Sequence, residues 1–100
     1  MAVTSPEEGL PTLRDRFVLL QQRYVDGLAA RWSQIEATPR EALSEPLHRL
    51  CGSAASYGFE SLGRQARLAE QLAARDDEPA LAQALRQLKR QIDRVRDRSA

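Results

Sequence analysis

Leu81, Leu85, Leu88, Ile92 and Val95 follow one another at intervals of four, three, four and three residues. That rhythm draws one narrow stripe along an α-helix, the form taken by a seam in a helix bundle. The rest of the chain repeats the pattern. From about Leu10 to Ala37, the residues Leu10, Leu13, Phe17, Leu20, Tyr24, Leu28 and Ile35 step mostly by three and four, with Val18, Val25 and Trp32 as a flanking stripe. So wide an apolar face predicts a first helix touching two neighbours. Upstream, Ser5-Pro6-Glu7-Glu8 has capping-box form and predicts a short extra turn.

Thr38-Pro39-Arg40-Glu41 reads as the start of a second helix, with Thr38 as cap, Pro39 in the first helical position and Glu41 reaching back. Leu43, Leu47, Leu50 and Ala54 form its inward stripe, Gly58 its stop, and Pro46 an expected kink or interruption. A third helix is predicted from about Phe59 to Arg75, with Phe59, Leu62, Ala66, Ala69 and Leu72 or Ala73 inward. Asp76-Asp77-Glu78-Pro79 then separates it from the seam helix. Short connectors make neighbours antiparallel. The expectation is an all-α, up-down antiparallel four-helix bundle occupying 1–100 as one domain, with residues 1–9 as an N-terminal segment holding the short extra helix.

Composition narrows the function classes. Fifteen Lys and Arg stand against fourteen Asp and Glu, so no strong field draws the chain toward nucleic acid or acidic lipid. Arg86, Arg90 and Arg94 share a face opposite the seam, which reads as a solvated face. One cysteine allows no internal disulfide and fits a reducing compartment. No apolar run is long enough to span a membrane, and Met1 to Glu8 lacks a signal peptide's basic head and apolar middle. A cytoplasmic protein is expected, with no nucleic-acid or membrane partner.

His48 is the only histidine. On a wheel of ~100° per residue it falls roughly 130° from the centre of the stripe set by Leu43, Leu47, Leu50 and Ala54, so it should face solvent. Ser44, Cys51, Gly52 and Ala55 lie within two turns on the same side, all of them small. Nothing bulky fences the imidazole. A glycine inside a helix costs ~1 kcal/mol relative to alanine. Gly52 is explained if a partner's backbone must fit beside His48; the plain alternative is a tolerated helix glycine, like Gly27 and Gly63. No metal site is expected, because His48 and Cys51 supply two ligands where a closed zinc site needs four. A Cys51–His48 nucleophilic pair lacks a third group.

The run His48-x-Leu50-x-Gly52-Ser53-Ala54, followed by Gly58 and Leu62, resembles the histidine-phosphotransfer (HPt) domains of bacterial phosphorelays. Their pattern is His-x-Leu-Lys-Gly-Ser/Ala-Ala, then a glycine and a leucine at this spacing. The close match covers about His48 to Leu72, and the helix layout extends it over the whole length. The resemblance implies a four-helix bundle with an exposed phosphorylatable histidine, here His48, that carries a phosphoryl group between receiver-domain aspartates. It implies clearance for the receiver at Gly52, with Ser44, Cys51 and Ala55 around it. The implied partners are receiver domains of response regulators or hybrid sensor kinases. They would bring Mg²⁺, and this chain would need no cofactor and have no autokinase activity. The family's usual lysine is replaced by Cys51, so the resemblance implies a substitute cation, with Arg67 preferred to Arg49. It also implies Glu70 as a hydrogen-bond partner of the histidine. The other reading consistent with Cys51 is a helical module that binds a receiver or kinase without transfer.

Overall fold

The computed structural model describes Thr12 to Ser99. These residues form five α-helices: α1 (Leu13–Asp26), α2 (Leu28–Ala37), α3 (Ser44–Ser56), α4 (Glu60–Ala74) and α5 (Glu78–Ser99). A single 3-10 turn, Arg40–Ala42, precedes α3. α1 and α2 form one arm of the bundle, divided at Gly27. That residue keeps helical backbone angles, and its N–H reaches the carbonyls of Arg23 and Tyr24. With α3, α4 and α5 the arm makes an all-helical four-helix bundle. The expected short helix at 5–8 lies outside the described residues. The observed cap is Thr12, whose hydroxyl accepts from the Asp15 N–H while the Asp15 carboxylate accepts from the Thr12 N–H.

The core follows the predicted stripes through most of the chain. Leu43, Leu47, Leu50 and Ala54 are buried, as are Leu62, Ala66, Ala69 and Ala73 on α4 and Leu81, Leu88 and Ile92 on α5. Leu85, Val95, Phe59, Leu72 and Trp32 pack against this core while partly exposed. α1 departs from expectation. Tyr24, Val25, Leu28 and Ile35 are buried, whereas Leu13 is 84% exposed and Phe17, Val18, Leu19 and Leu20 are each about half exposed. The end of α5 supplies the reason: Arg96, Asp97 and Ser99 lie beside Gln22, Val25 and Asp26. The first two turns of α1 run past that point, and the described residues provide no helix to cover them.

The second expected helix start is also corrected. Thr38 ends α2, and its hydroxyl donates to the Gln34 carbonyl. Pro39 opens the 3-10 turn, and α3 begins only at Ser44. Of the two expected effects of Pro46 the chain shows the interruption, at Leu43; Pro46 itself sits in the first turn of α3, where its missing N–H removes no helical bond and no kink arises. Arg40 clasps the far end of the bundle. It donates to the Ala73 carbonyl and to the carboxylates of Glu78 and Asp76. The last of these belongs to a residue with φ of 56° in the α4–α5 turn, a left-handed conformation that Asp tolerates better than most residues.

α3 stops where Gly58 was expected to stop it. Gly58 has φ of 85°, its N–H bonds the Ala55 carbonyl, and the Phe59 N–H bonds the Ala54 carbonyl. This is a Schellman closure, which requires the left-handed residue that glycine supplies without strain. The turn is fixed from outside by Gln21, which donates to the Tyr57 carbonyl, and by Tyr24, which shares a 2.7 Å hydrogen bond with Ser53 and stacks on Tyr57. Burial raises the Tyr24 phenol above its ordinary value of 10.0, against smaller opposing effects of the Ser53 hydrogen bond and the Arg31 charge. The phenol therefore ionises more easily in the unfolded chain. Its contribution to stability is complete below pH 10.0 and is lost as pH rises through the raised folded value. Urea unfolding should show this alkaline loss in the native chain, and Tyr24→Phe should diminish it.

Candidate functional site

α3 and α4 pack as an antiparallel pair, and Gly63 sets how closely they approach. A Cβ on Gly63 would stand 3.1 Å from the Cys51 carbonyl oxygen and 3.5 Å from the Ala55 nitrogen. Gly63 is therefore not the tolerated helix glycine expected from the sequence. Its bare backbone lets α4 lie directly on α3. Gly52 behaves in the opposite way: a Cβ there would meet nothing within 4 Å. Nothing inside the described fold asks for glycine at that position, where it costs the helix ~1 kcal/mol relative to alanine.

His48 stands on the open flank of α3 with 77% of its side chain exposed. Its Nδ1 lies 3.1 Å and 3.3 Å from the two carboxylate oxygens of Glu70 on α4. An ionised carboxylate only accepts, so in the neutral imidazole Nδ1 carries the proton and donates it. Nε2 then holds its lone pair and has no partner among the described residues. Glu70 is the less exposed member of the pair, at 27%. A carboxylate held by the neighbouring helix thus fixes both the tautomer and the direction of an exposed ring nitrogen.

Around the ring, Ser44, Gly52 and Ala55 are exposed and Cys51 is half-buried. The four small residues form a low floor on one side of His48. Beside it lies an open hollow lined by Cys51 and Ala55 of α3 and by Glu60, Gly63, Arg64 and Arg67 of α4. The register explains this grouping. If Glu70 stands opposite His48, then one turn along α3 and one turn back along α4 bring Cys51 opposite Arg67. Arg49 lies on the other flank, within 3.7 Å of Glu45. Among the candidates named from the sequence, the structure gathers Ser44, His48, Cys51, Gly52, Ala55, Arg67 and Glu70 along one face and leaves Arg49 aside. Sequence reasoning missed Gly63. Its sign was its place at the expected α3–α4 contact, one residue after the inward Leu62.

These features define a class: a four-helix bundle presenting one exposed, carboxylate-oriented histidine beside small residues. The family model described as Hpt domain matches residues 10–98, and the chain belongs to that family. The family performs histidine phosphotransfer in phosphorelays, and its members interact with receiver and kinase partners. No curated protein matches the chain, and no solved structure does. Among the described residues, no helix is long and apolar enough to cross a membrane.

Proposed function

We propose that this protein is a phosphorelay intermediate that accepts a phosphoryl group on Nε2 of His48 from one receiver-domain aspartate and returns it to another. The observation that carries this reading is the hydrogen bond from His48 Nδ1 to Glu70, which in the neutral imidazole leaves an exposed Nε2 unprotonated and without a partner among the described residues. The Nε2 lone pair attacks the phosphorus of the aspartyl phosphate. The N–P bond forms as the P–O bond to the aspartyl oxygen breaks, and the aspartate leaves as a carboxylate. The ring gains positive charge with its Nδ1–H retained, and Glu70 is placed to stabilise that charge. Return of the phosphoryl group reverses these steps.

The remaining work is positioning and charge stabilisation, which suits a small rigid docking surface. Ser44, Cys51, Gly52 and Ala55 would form that surface. Gly52 would let the receiver's backbone come down beside the ring. The receiver would bring Mg²⁺ and its carboxylates to the complex, and this chain would have no autokinase activity. Cys51 lacks the charge of the lysine usual in the family, which gives the non-catalytic binding module its one supporting observation.

Incubation with a panel of phosphorylated receivers tests the two readings together. Transfer should give a phosphate on this chain that is labile in acid and stable in alkali, the behaviour of a phosphoramidate. Tight receiver binding with no phosphate on the chain would establish the non-catalytic module instead.

A further inference from the structure

Phosphorylating His48 creates an electrostatic conflict within its own site. The phosphoryl group brings a charge of about −2 to a ring whose other nitrogen already holds the Glu70 carboxylate. The positive charge the ring gains stands between them but offsets only one unit, so the site still becomes more negative and is stabilised by a further cation beside the phosphoryl oxygens. α3 supplies none on that flank: Cys51, one turn from His48, is uncharged, and Arg49 points to the other side toward Glu45. On this chain, the cations lining the hollow on that flank belong to α4.

Three arginines on α4 and its end are candidates, and their surroundings separate them. Arg64 lies near Glu60 and donates to the Ser61 hydroxyl, so it is directed along its own helix. Arg75 lies five residues beyond Glu70, roughly 140° around the helix from it. Arg67 is exposed and forms no ion pair or side-chain hydrogen bond among the described residues. It lines the same hollow as Cys51, one turn from the His48–Glu70 pair. Gly63, whose bare backbone lets α4 lie against α3, lines that hollow too, so an arginine rooted on α4 stands close to groups carried by α3.

We propose that Arg67 is the phosphoryl-binding residue, and that the phosphoryl site is split between two helices, with the nucleophile on α3 and the cation on α4. From the hollow it shares with Cys51, its guanidinium donates to the phosphoryl oxygens, offsetting the repulsion from Glu70. A planar fork of N–H donors suits a phosphoryl group, and the pairing is charge-assisted. This inference rests on His48 as the phosphoacceptor.

The test uses phosphoramidate, a small phosphoryl donor that needs no receiver, with the whole chain and its variants. The initial rate of His48 labelling is the readout. Arg67→Gln should slow labelling about tenfold, less than the loss of a fully enclosed oxyanion donor because this site is open to water. Arg64→Gln should stay within about twofold of the native rate. A lysine at Cys51, one turn from His48 on its own helix, places an ammonium near the same oxygens. Cys51→Lys in the Arg67→Gln background should therefore restore most of the rate, which a structural role for Arg67 would not allow. An Arg67→Gln rate equal to the native one, or a loss that Cys51→Lys leaves uncorrected, overturns the inference. Labelling that persists in His48→Gln overturns the proposed function and this inference with it. His48-dependent labelling indifferent to Arg67 overturns this inference alone.

Discussion

His48→Gln should abolish phosphorylation by any receiver while leaving the fold intact. The imidazole is mostly in solvent, and its one side-chain hydrogen bond is to Glu70 at the surface. Unfolding free energy should therefore move by no more than about 0.5 kcal/mol, as is usual for surface substitutions. Glutamine keeps a similar length and can still donate to Glu70, yet its amide nitrogen has no lone pair available for attack on phosphorus. Urea unfolding and receiver binding should stay near native while labelling falls to background. Residual labelling at native rates would assign the nucleophile elsewhere.

Gly63→Val should damage fold and site together. The β-carbon alone would sit 3.1 Å from the Cys51 carbonyl, against backbone that cannot rotate away. For alanine, the ~1 kcal/mol gained in helix propensity nearly offsets the few tenths of an ångström the helices must yield. Valine adds two methyl groups at the same contact, and overpacking of this kind costs about 2 kcal/mol. Because α3 and α4 must part to admit it, Glu70 also moves away from His48. Gly63→Val should thus lower the urea midpoint and slow transfer, with Gly63→Ala near native in both. A valine variant of native stability and rate would show that the close approach at Gly63 has no part in either.

The regions that sequence periodicity described well are those where every helix has a neighbour along its full length. Leu47, Leu50 and Ala54 on α3 and Leu81, Leu88 and Ile92 on α5 are buried because opposing helices run beside them. The same 3-4 spacing places Leu13, Phe17 and Leu20 on a stripe, and yet they are exposed. Periodicity reports which residues share a face; whether another helix reaches far enough to cover that face depends on where the other helix ends. Pro46 illustrates a boundary effect. Counted from Pro39 it falls inside a helix, but counted from Ser44 it falls in the first turn, where it is harmless. The Arg40 clasp joins residues far apart in sequence to a carbonyl at Ala73, and no spacing rule exposes such a contact.

The site was more legible than the fold around it. A helical wheel on one stretch sufficed to turn His48 outward with small residues beside it, because α3 is regular from Ser44 to Ser56. The distinct characters of the two glycines were not legible. Gly52 and Gly63 look alike in sequence, and only the packing of α4 shows that one faces open space and the other a backbone carbonyl. The same packing brings Arg67 into the hollow that Cys51 also lines.

The central claim is that Glu70 holds the Nδ1 proton so that Nε2 of His48 is the nucleophile. Nitrogen NMR of the receiver-phosphorylated protein, with the histidine ring isotopically labelled, tests it most directly by showing which ring nitrogen bears phosphorus. The account predicts phosphorus on Nε2 with Nδ1 still protonated. Phosphorus on Nδ1, or on a residue other than His48, would contradict it.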